Sequence, residues 1–406
     1  MTIYFVAGEV SADNHGAALM RSVRELDGDL QFVGRGGPQM KEVAGESARR
    51  TAGQIRGGGQ FKNWIGEAAV LGLWEVLRKY GYFREQFHET LQEIRENKPG
   101  AVVLIDYPGF NLRLARALRN QAPQQKIIYY ISPQVWAWNR GRIKRMAHFI
   151  DLVLCIFPFE VDLYNQAGLR ALFVGHPMIE RLRARKIDAQ RDPNLIGLFP
   201  GSRSREVRKI FPVMLETARE LRKHNSNLRF EVAAASEQLT QEISKLLAAG
   251  SPLPSFREEG TMRGSPGSTE RPSIEIKLGE TGAIMQRAWA GIVASGSATL
   301  EAAYFRLPFV LIYKVAWPTY LAARLVVNVK YLGMPNLLAD KEVVPEFIQH
   351  RAKPNAIVEA VQPLIEDANA RAWMISQFDA IVPKLGGSGA SQGAARAIIE
   401  EIRSAI

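Results

Sequence analysis

Short apolar runs, many of them β-branched, alternate with segments of helical periodicity along nearly the whole chain. The ten runs lie at residues 3–7, 31–34, 101–105, 126–130 and 152–156, and at 195–200, 230–234, 273–277, 291–294 and 309–313. This alternation is typical of parallel sheets wrapped by helices. A charged, loop-like stretch at about 180–194 separates the two groups of five runs. The sequence therefore predicts two Rossmann-like domains joined by a linker.

The predicted α/β architecture has a first domain over residues 1–180 and a second over 195–384. We expect the C-terminal helices, at about 385–406, to pack back on the first domain. Residues 250–272 are rich in Gly, Pro, Ser and charge, and we interpret them as a flexible insertion without a role in the chemistry. Chains of this design bind ligands at the carboxyl ends of strands, in a cleft between domains.

The composition excludes several classes of protein. Cys155 is the single cysteine, so the chain has no disulfide framework and no thiolate metal cluster. The six histidines are scattered without ligand spacing, and we predict no metal. The N-terminus reaches Glu9 too early for a signal peptide, and no apolar run approaches the ~20 residues of a spanning helix. We therefore expect a cytoplasmic protein.

Positive charge is concentrated in one part of the chain. Residues 101–150 contain eight Lys or Arg and a single acid, Asp106, so this window carries +7 of the net charge of +11. Such a window indicates an anionic partner, which includes phosphates, an anionic membrane surface and nucleic acid. A solvated surface face is the alternative interpretation.

Two Gly-Ser turns in the second half indicate a nucleotide site. In LFPGSR, at 198–203, and ASGSATLE, at 294–301, an apolar run ends at a tight turn and a helix begins with Ser or Thr available to cap it. The helix N-terminus and Arg203 suit a diphosphate, and Glu301 could bind ribose hydroxyls. One such turn is common, but two of them with Arg203 favour a phosphorylated nucleotide.

Asp106 is the candidate for chemistry because it follows the buried run AVVLI at a strand's carboxyl end. There it could accept a proton from a sugar hydroxyl, with burial raising its pKa and neighbouring arginines lowering it. Capping of the turn at 107–109 is the alternative. The loop GEVSADNHG, at 8–16, places Ser11 and Asp13 near the predicted cleft, although either could be a helix cap.

Aromatic residues indicate contacts with sugar or lipid. Trp136 and Trp138 alternate in an extended segment and suit stacking on a sugar ring, with core packing as the alternative. The region 61–87 is too apolar for a one-faced surface helix, so it is a membrane-interface or acyl-chain surface or a helix buried on two sides. The residues assigned to membrane or acyl contact are Trp64, Leu71, Leu73 and Trp74.

Nine motifs occur in the order found in the lipid-A-disaccharide synthases. They are VAGEVSAD, FVGRGGPQM, LGLWEVL, LIDYPGFN, YYISPQVWAW, FVGHPM, LFPGSRSREV, ASGSATLEAA and MPNLLA. Over nearly its whole length the chain resembles this family, glycosyltransferase family 19, whose members are inverting enzymes with a GT-B fold of two Rossmann-like domains facing across a cleft. The resemblance implies transfer of 2,3-diacylglucosamine from its UDP conjugate to the 6-hydroxyl of 2,3-diacylglucosamine 1-phosphate, giving a β-1,6-linked disaccharide phosphate and UDP.

The resemblance also implies roles for individual residues. Asp106 matches the general base. The donor-binding residues are Gly201, Ser202, Arg203, Ser295, Gly296, Thr299, Glu301 and Asn336. The acceptor-binding residues are Ser11, Asp13, Asn111, Trp136 and Trp138. Gly109 departs from the family, which commonly has Asp there, and this removes a second carboxylate near Asp106.

We expect no cofactor and no metal, because GT-B enzymes stabilise the leaving diphosphate with cations and helix N-termini. The expected partners are lipid-linked sugar substrates and the inner face of the inner membrane, with peripheral association, no nucleic acid, and a homodimer left open. One alternative is another GT-B enzyme on a lipid-linked acceptor, such as a peptidoglycan-type N-acetylglucosaminyltransferase, which the SPQVWAW segment disfavours. The others are a UDP-sugar epimerase and a non-catalytic nucleotide- or nucleic-acid-binding protein.

Overall fold

The computed structural model describes residues 1–50, 61–65, 80–134, 141–249, 274–317, 320–321, 329–387 and 389–404. The chain divides into two compact units, one of Met1–Glu180 with Leu385–Ile406 and one of Arg181–Lys384. Each contains one parallel sheet wrapped by helices, which confirms the predicted α/β class. None of the helices in these ranges is both long and apolar enough to cross a membrane.

The first unit has a seven-stranded sheet in the order β3-β2-β1-β4-β5-β6-β7. The strands are β1 Thr2–Ala7, β2 Gln31–Gly36, β3 Phe61–Asn63, β4 Ala101–Ile105, β5 Lys126–Tyr130, β6 Leu152–Cys155 and β7 Ala171–Phe173. The helices are α1 Val10–Leu26, α2 Pro38–Arg50, α3 Tyr80–Asn97, α4 Pro108–Gln121, α5 Gly141–Met146 and α6 Pro158–Gln166, with α7 Met178–Ala184 at the boundary of the units. The central strands read as unbroken apolar runs because helices cover both faces.

The second unit has a six-stranded sheet in the order β10-β9-β8-β11-β12-β13. The strands are β8 Asp192–Phe199, β9 Arg229–Ala234, β10 Ile274–Leu278, β11 Ala288–Ala294, β12 Phe309–Tyr313 and β13 Glu346–Ile348. The helices are α8 Ser204–His224, α9 Glu237–Ala249, α10 Thr281–Arg287, α11 Ala298–Tyr304, α12 Met334–Ala339, α13 Pro354–Glu366 and α14 Ala368–Ile381. Two 3-10 turns complete the described elements, at Gln349–Arg351 and Val382–Leu385.

The C-terminal helix α15, Ala390–Arg403, packs on α1 in the first unit. The Arg403 guanidinium lies 2.9 Å from the Asp27 carboxylate. The buried Glu401 carboxylate forms ion pairs with Lys126 at 3.1 Å and with Arg170 at 2.8 Å. The chain therefore returns to its first unit after completing the second.

The stretch at about 180–194, which the sequence predicts to be a linker, is partly helical and partly packed in the second unit. Residues up to Ala184 are helical, and the rest of the stretch belongs to the second unit. The Ile187 N–H donates to the Gln286 side chain at 2.8 Å, and Arg191 donates to the Met285 carbonyl at 3.0 Å. The charges that resemble a solvated linker include a guanidinium that caps carbonyl groups of the second unit.

Each sheet reverses its strand order beside its first strand. In the first unit β1 pairs with both β2 and β4, and in the second unit β8 pairs with both β9 and β11. Ligands of open α/β sheets bind at such switch points, outside the carboxyl ends of the strands. This topology places the loops after β1 and β4 side by side, and likewise the loops after β8 and β11.

Candidate active site

Asp106 follows β4 in a strained backbone conformation. The φ angles of Asp106 and Tyr107 are +46° and +50°, and that of Ile131, after the neighbouring strand β5, is +61°. Side chains with a Cβ atom rarely adopt these values, least of all a β-branched Ile. Strain of this kind persists where surrounding contacts impose it, and it concentrates at functional sites.

Three hydrogen bonds hold the Asp106 backbone. Its carbonyl accepts from the Tyr129 hydroxyl at 2.5 Å and from the Asn111 amide at 2.8 Å, and its N–H donates to the Tyr130 carbonyl at 3.0 Å. The Asn111 amide also donates to the Ile105 carbonyl at 3.2 Å and is fully buried. The amide nitrogen of Asn111 therefore positions Asp106, and the assignment of Asn111 to acceptor binding stays a prediction.

The Asp106 carboxyl has a pKa raised to about 6 by burial and, second, by the Glu9 carboxylate. A hydrogen bond from the Tyr107 backbone opposes the rise, and no arginine within the described ranges is among the causes. Burial therefore decides the direction that the sequence left open. The capping alternative is wrong, since the N-cap of α4 is Tyr107 and no side chain caps that helix. A carboxylate with this pKa can accept a proton near neutral pH.

A cavity of about 310 Å³ opens beside Asp106. Its walls come from the carboxyl ends of β4, β5 and β6, and include Ser132, Phe157 and Glu160. The buried Glu160 carboxylate accepts the Phe157 N–H at 3.2 Å and so fixes the start of α6. The cavity is large enough for a sugar ring, and Asp106, whose backbone is strained, lies at one side of it.

Ser11 and Asp13, the two candidates in the loop at 8–16, have different environments in the structure. Ser11 is exposed in the first turn of α1, near the switch point of the sheet. Asp13 is buried, and its carboxylate accepts the N–H groups of Gly37, Gln39 and Met40 at 2.9, 3.1 and 3.0 Å. The prediction that Asp13 binds the acceptor is corrected, because its carboxylate holds the start of α2.

Trp64 belongs to the core. It is 4% exposed, its indole N–H donates to the Ala7 carbonyl at 2.7 Å, and its ring packs on Phe110 at a centroid distance of 5.0 Å. Its assignment to membrane or acyl contact is therefore wrong, because the indole finds its partners inside the first unit. The other aromatic and apolar candidates, Leu71, Leu73, Trp74, Trp136 and Trp138, lie outside the described residues, as do residues 250–272.

A glycine forms each of the two turns that the sequence assigns to nucleotide binding. Gly201 follows β8 with φ +111°, and Gly296 follows β11 with φ +150°, values that favour glycine. Ser202 and Arg203 are exposed after the first turn, and the Arg203 guanidinium lies 3.3 Å from Glu206. Ser297 occupies the N-cap position of α11, as the sequence allows, whereas Arg203 occupies that of α8, and neither side chain forms a capping hydrogen bond. The first N–H groups of α8 therefore lack a capping side chain.

The second turn is stabilised from within. The buried Thr299 hydroxyl donates to the Gly296 carbonyl at 2.8 Å, and the Ser295 N–H donates to the Ile312 carbonyl at 2.9 Å. Thr299 thus supports the turn, while the Ser295 side chain is half-buried. Arg181 donates to one carboxylate oxygen of Glu301 at 2.6 Å.

Asn336 is a structural residue in α12. Its carbonyl oxygen accepts the N–H groups of Val343 and Val344 at 2.7 and 2.8 Å, and its amide donates to the Val344 carbonyl and the Glu346 carboxylate, both at 2.8 Å. The side chain is fully buried. The prediction that Asn336 binds the donor is corrected, because every hydrogen-bonding position of its amide is used inside this loop.

Sequence reasoning missed the supporting residues Tyr129, Arg181 and Glu346, and gave Glu9 no role at Asp106. Glu9 lies in the loop GEVSADNHG, at 8–16, and the position of this loop after the first strand is the signal that could have placed it near Asp106. Tyr129 opens the motif YYISPQVWAW, but its place in a buried strand gave no signal of a hydrogen bond to Asp106, and Arg181 and Glu346 lie in an ordinary helix and strand. In the described parts of the chain, no group of three or more His, Cys, Asp or Glu side chains could hold a metal ion.

Comparison with known proteins gives consistent matches. A family model described as lipid-A-disaccharide synthetase matches residues 3–255 and 269–383. The lipid-A-disaccharide synthase of Geobacter sulfurreducens is 35% identical, covering 98% of this chain and 96% of that protein. Lipid-A-disaccharide synthase 1 of Legionella pneumophila is 32% identical, covering 96% and 94%.

Two solved structures share the fold. The UDP-GlcNAc 2-epimerase of Neisseria meningitidis, bound to UDP-GlcNAc, matches with a TM-score of 0.56 at 11% identity and covers 100% of both chains. The glycosyltransferase of kitacinnamycin matches with a TM-score of 0.56 at 12% identity and covers 98% of both. At these identities the likeness concerns the fold alone.

Proposed function

Because the chain belongs to the lipid-A-disaccharide synthetase family, we propose that it transfers 2,3-diacylglucosamine from its UDP conjugate to the 6-hydroxyl of 2,3-diacylglucosamine 1-phosphate. The products are the β-1,6-linked disaccharide phosphate and UDP. The observation that carries this proposal in the structure is Asp106, a half-buried carboxyl with a pKa raised to about 6 at the edge of a sugar-sized cavity.

In this mechanism the ionised Asp106 accepts the proton of the acceptor 6-hydroxyl. The oxygen then attacks the anomeric carbon on the face opposite UDP, the bond to the diphosphate breaks, and the configuration inverts. Charge develops on the leaving diphosphate, where the exposed Arg203 and the uncapped start of α8 can stabilise it. We assign the turns at Gly201 and Gly296 to donor binding, with Glu301 on the ribose.

We also propose that the reaction needs no divalent metal, since the guanidinium and helix N-terminus supply positive charge at the diphosphate. Peripheral association with the cytoplasmic face of the inner membrane is part of the proposal, because both substrates carry acyl chains. The homodimer stays an open expectation that light scattering tests.

The experiment is transfer between the two lipid substrates in detergent, with EDTA, using the purified wild type, Asp106→Asn and the control Asp162→Asn. Asp162 is an exposed aspartate of the same unit. We expect disaccharide from the wild type and the control, and a loss of about 10²–10⁴ in kcat for Asp106→Asn.

Each other outcome has a distinct meaning. A folded wild type that makes no disaccharide with these substrates contradicts the proposed reaction. Equal activity of Asp106→Asn and wild type removes Asp106 as the base. Activity that disappears with EDTA and returns with a divalent cation contradicts metal independence.

A further inference from the structure

A second cavity, of about 400 Å³, lies between α4 and the segment that begins with α5. Six of the residues around it carry or can carry positive charge, namely Arg113, Arg116, Arg119, Arg142, Arg145 and His148. No Asp or Glu among the described residues lines it. We propose that this cavity binds the phosphate group of an amphiphilic ligand.

The arginines converge from two elements. Arg113 and Arg116 are three residues apart on α4, and Arg142 and Arg145 are three residues apart on α5, so each pair occupies one helix face. Like charges at this spacing repel and lower the stability of the empty protein. An anion bound between the two helices would reverse that repulsion.

The cations of this cavity are unequally neutralised. Arg119 forms an ion pair with Asp151 at 2.6 Å. Among the described residues, no acidic side chain pairs with Arg113, Arg116 or Arg145. Guanidinium groups present forked donors that match phosphate oxygens, and several of them around one space suit the nearly double negative charge of a phosphate monoester, which a carboxylate lacks.

The cavity also has an apolar part. Leu112 is buried, Phe149 is half-buried, and both contribute to the wall beside the arginines. A cationic rim above an apolar wall fits a phosphate attached to an apolar carrier better than it fits a polymer chain, which needs a continuous charged track. The combination of arginines with an apolar wall favours a single phosphorylated amphiphile over nucleic acid.

The two cavities of the first unit adjoin each other. Pro108 lines both of them, with Asp106 on one side and Gly109 on the other. The arginines therefore surround a separate space, which agrees with their absence from the causes of the Asp106 pKa. In a hexopyranose, C1 and C5 are both bonded to the ring oxygen, and C5 carries the 6-hydroxymethyl group. A hexose whose 6-hydroxyl meets Asp106 therefore has its 1-phosphate within the reach of one sugar ring, and the adjoining cavity offers that phosphate its cations. This assignment to the sugar phosphate rests on the proposed function, whereas the phosphate chemistry of the cavity does not.

The test measures binding without donor sugar, so it does not depend on catalysis. The probes are 2,3-diacylglucosamine 1-phosphate and its phosphate-free analogue in neutral detergent micelles, and vesicles of phosphatidylcholine with and without phosphatidylglycerol. The variant is Arg113→Gln with Arg116→Gln, and the charge-matched control is Arg21→Gln with Lys41→Gln, two exposed cations of the same unit.

A further variant, Arg145→Gln, removes an exposed cation that the other helix contributes to the cavity. We expect the double variant to weaken binding of the phosphorylated sugar by roughly tenfold or more, and Arg145→Gln to weaken it in the same direction. The phosphate-free analogue and the control pair should change by less than about twofold.

The outcomes separate the sources of the phosphate. Selective loss for the sugar phosphate, with vesicle binding unchanged, assigns the cavity to the acceptor. Selective loss for phosphatidylglycerol vesicles assigns it to a phospholipid headgroup. Equal effects of the cavity and control pairs, equal loss of both sugar probes, or preferential loss of oligonucleotide binding would overturn the proposal. A wild type that binds the sugar phosphate selectively but makes no disaccharide would refute the proposed function and leave this inference intact.

Discussion

The carboxyl edges of the two sheets present their candidate residues in opposite ways. In the first unit Asp106 is half-buried, has a φ of +46°, and is held by Tyr129, Asn111 and Tyr130. In the second unit the Arg203 side chain is 75% exposed, and its guanidinium lies 3.3 Å from the Glu206 carboxylate. At the edge of the first sheet, the backbone of Asp106 is strained. At the edge of the second sheet, glycines form the turns.

This difference matches the two roles that we propose for these edges. A general base needs a pKa near neutrality, which desolvation supplies only if the protein holds the carboxyl in place. A diphosphate site needs exposed cations and N–H groups that a ligand can reach. The strain after β4 and β5 is unlike that of Lys98, Arg306 and Asp340, whose positive φ angles follow helix ends, where the left-handed conformation is common.

The largest expected effect tests the open edge. Arg203→Ala should lower kcat by about 10²–10³ through lost stabilisation of the leaving diphosphate. Its Tm should match that of the wild type, because the exposed side chain packs little. The control is Arg205→Ala, an exposed neighbour on α8. A fall in Tm, or full activity, would make the two edges alike.

The next effect tests the buried edge through stability. Burial raises the pKa of the Asp106 carboxyl from 3.8 to about 6, so the folded protein binds more protons than the unfolded one between these values. Stability therefore falls as pH rises through this window, and ionised Asp106 destabilises the fold above it. Asp106→Asn should stabilise the protein by roughly 2 kcal/mol near neutral pH and add little below about pH 4. Thermal unfolding against pH measures this, with Asp162→Asn as the control, and an equal Tm at all pH values would contradict it.

Tyr129→Phe tests the bonds that hold the strain. The fully buried Tyr129 hydroxyl donates to the Asp106 carbonyl, and its loss should destabilise the protein by about 1 kcal/mol and lower kcat by roughly tenfold. Tyr4→Phe removes a comparable hydroxyl, which donates to Glu93 at 2.6 Å, and should leave kcat unchanged. If both variants lower kcat equally, the hydroxyl of Tyr129 has no specific role in positioning Asp106.

The smallest effect concerns Glu9. Its carboxylate is the second cause of the raised Asp106 pKa, after burial. Glu9→Gln should lower that pKa and move the acid limb of the kcat/KM profile to lower pH, by less than burial contributes. Glu25→Gln, at the far end of α1, is the matched control. An unchanged acid limb would mean that burial alone sets the pKa.

The sequence predicted most strands of the fold, and its failures have a physical cause. All ten predicted strands are present, but β3, β7 and β13 were missed. Each of these has three residues and lies at or beside a sheet edge, where burial is partial and the apolar pattern is too short to recognise. Position along the chain also located Asp106 and Arg203 correctly at carboxyl ends of strands.

Polar residues in motifs were harder to interpret. Asp13, Asn111 and Asn336 have the residue types of ligand-binding side chains, yet all three bind backbone groups in the interior. A sequence shows which hydrogen-bonding groups a loop carries, but not whether the neighbouring backbone already satisfies them.

The sequence by itself determined the α/β class, the two groups of strands and the family. Apolar periodicity and motif order are properties of the residue order alone and do not depend on which distant residues come into contact. Only the tertiary structure decided the direction of the Asp106 pKa, the separation of the arginine cavity from that carboxyl, and the inward roles of Asp13 and Asn336. Desolvation and hydrogen-bond satisfaction depend on atoms from distant parts of the chain, which come together only when the sheets form.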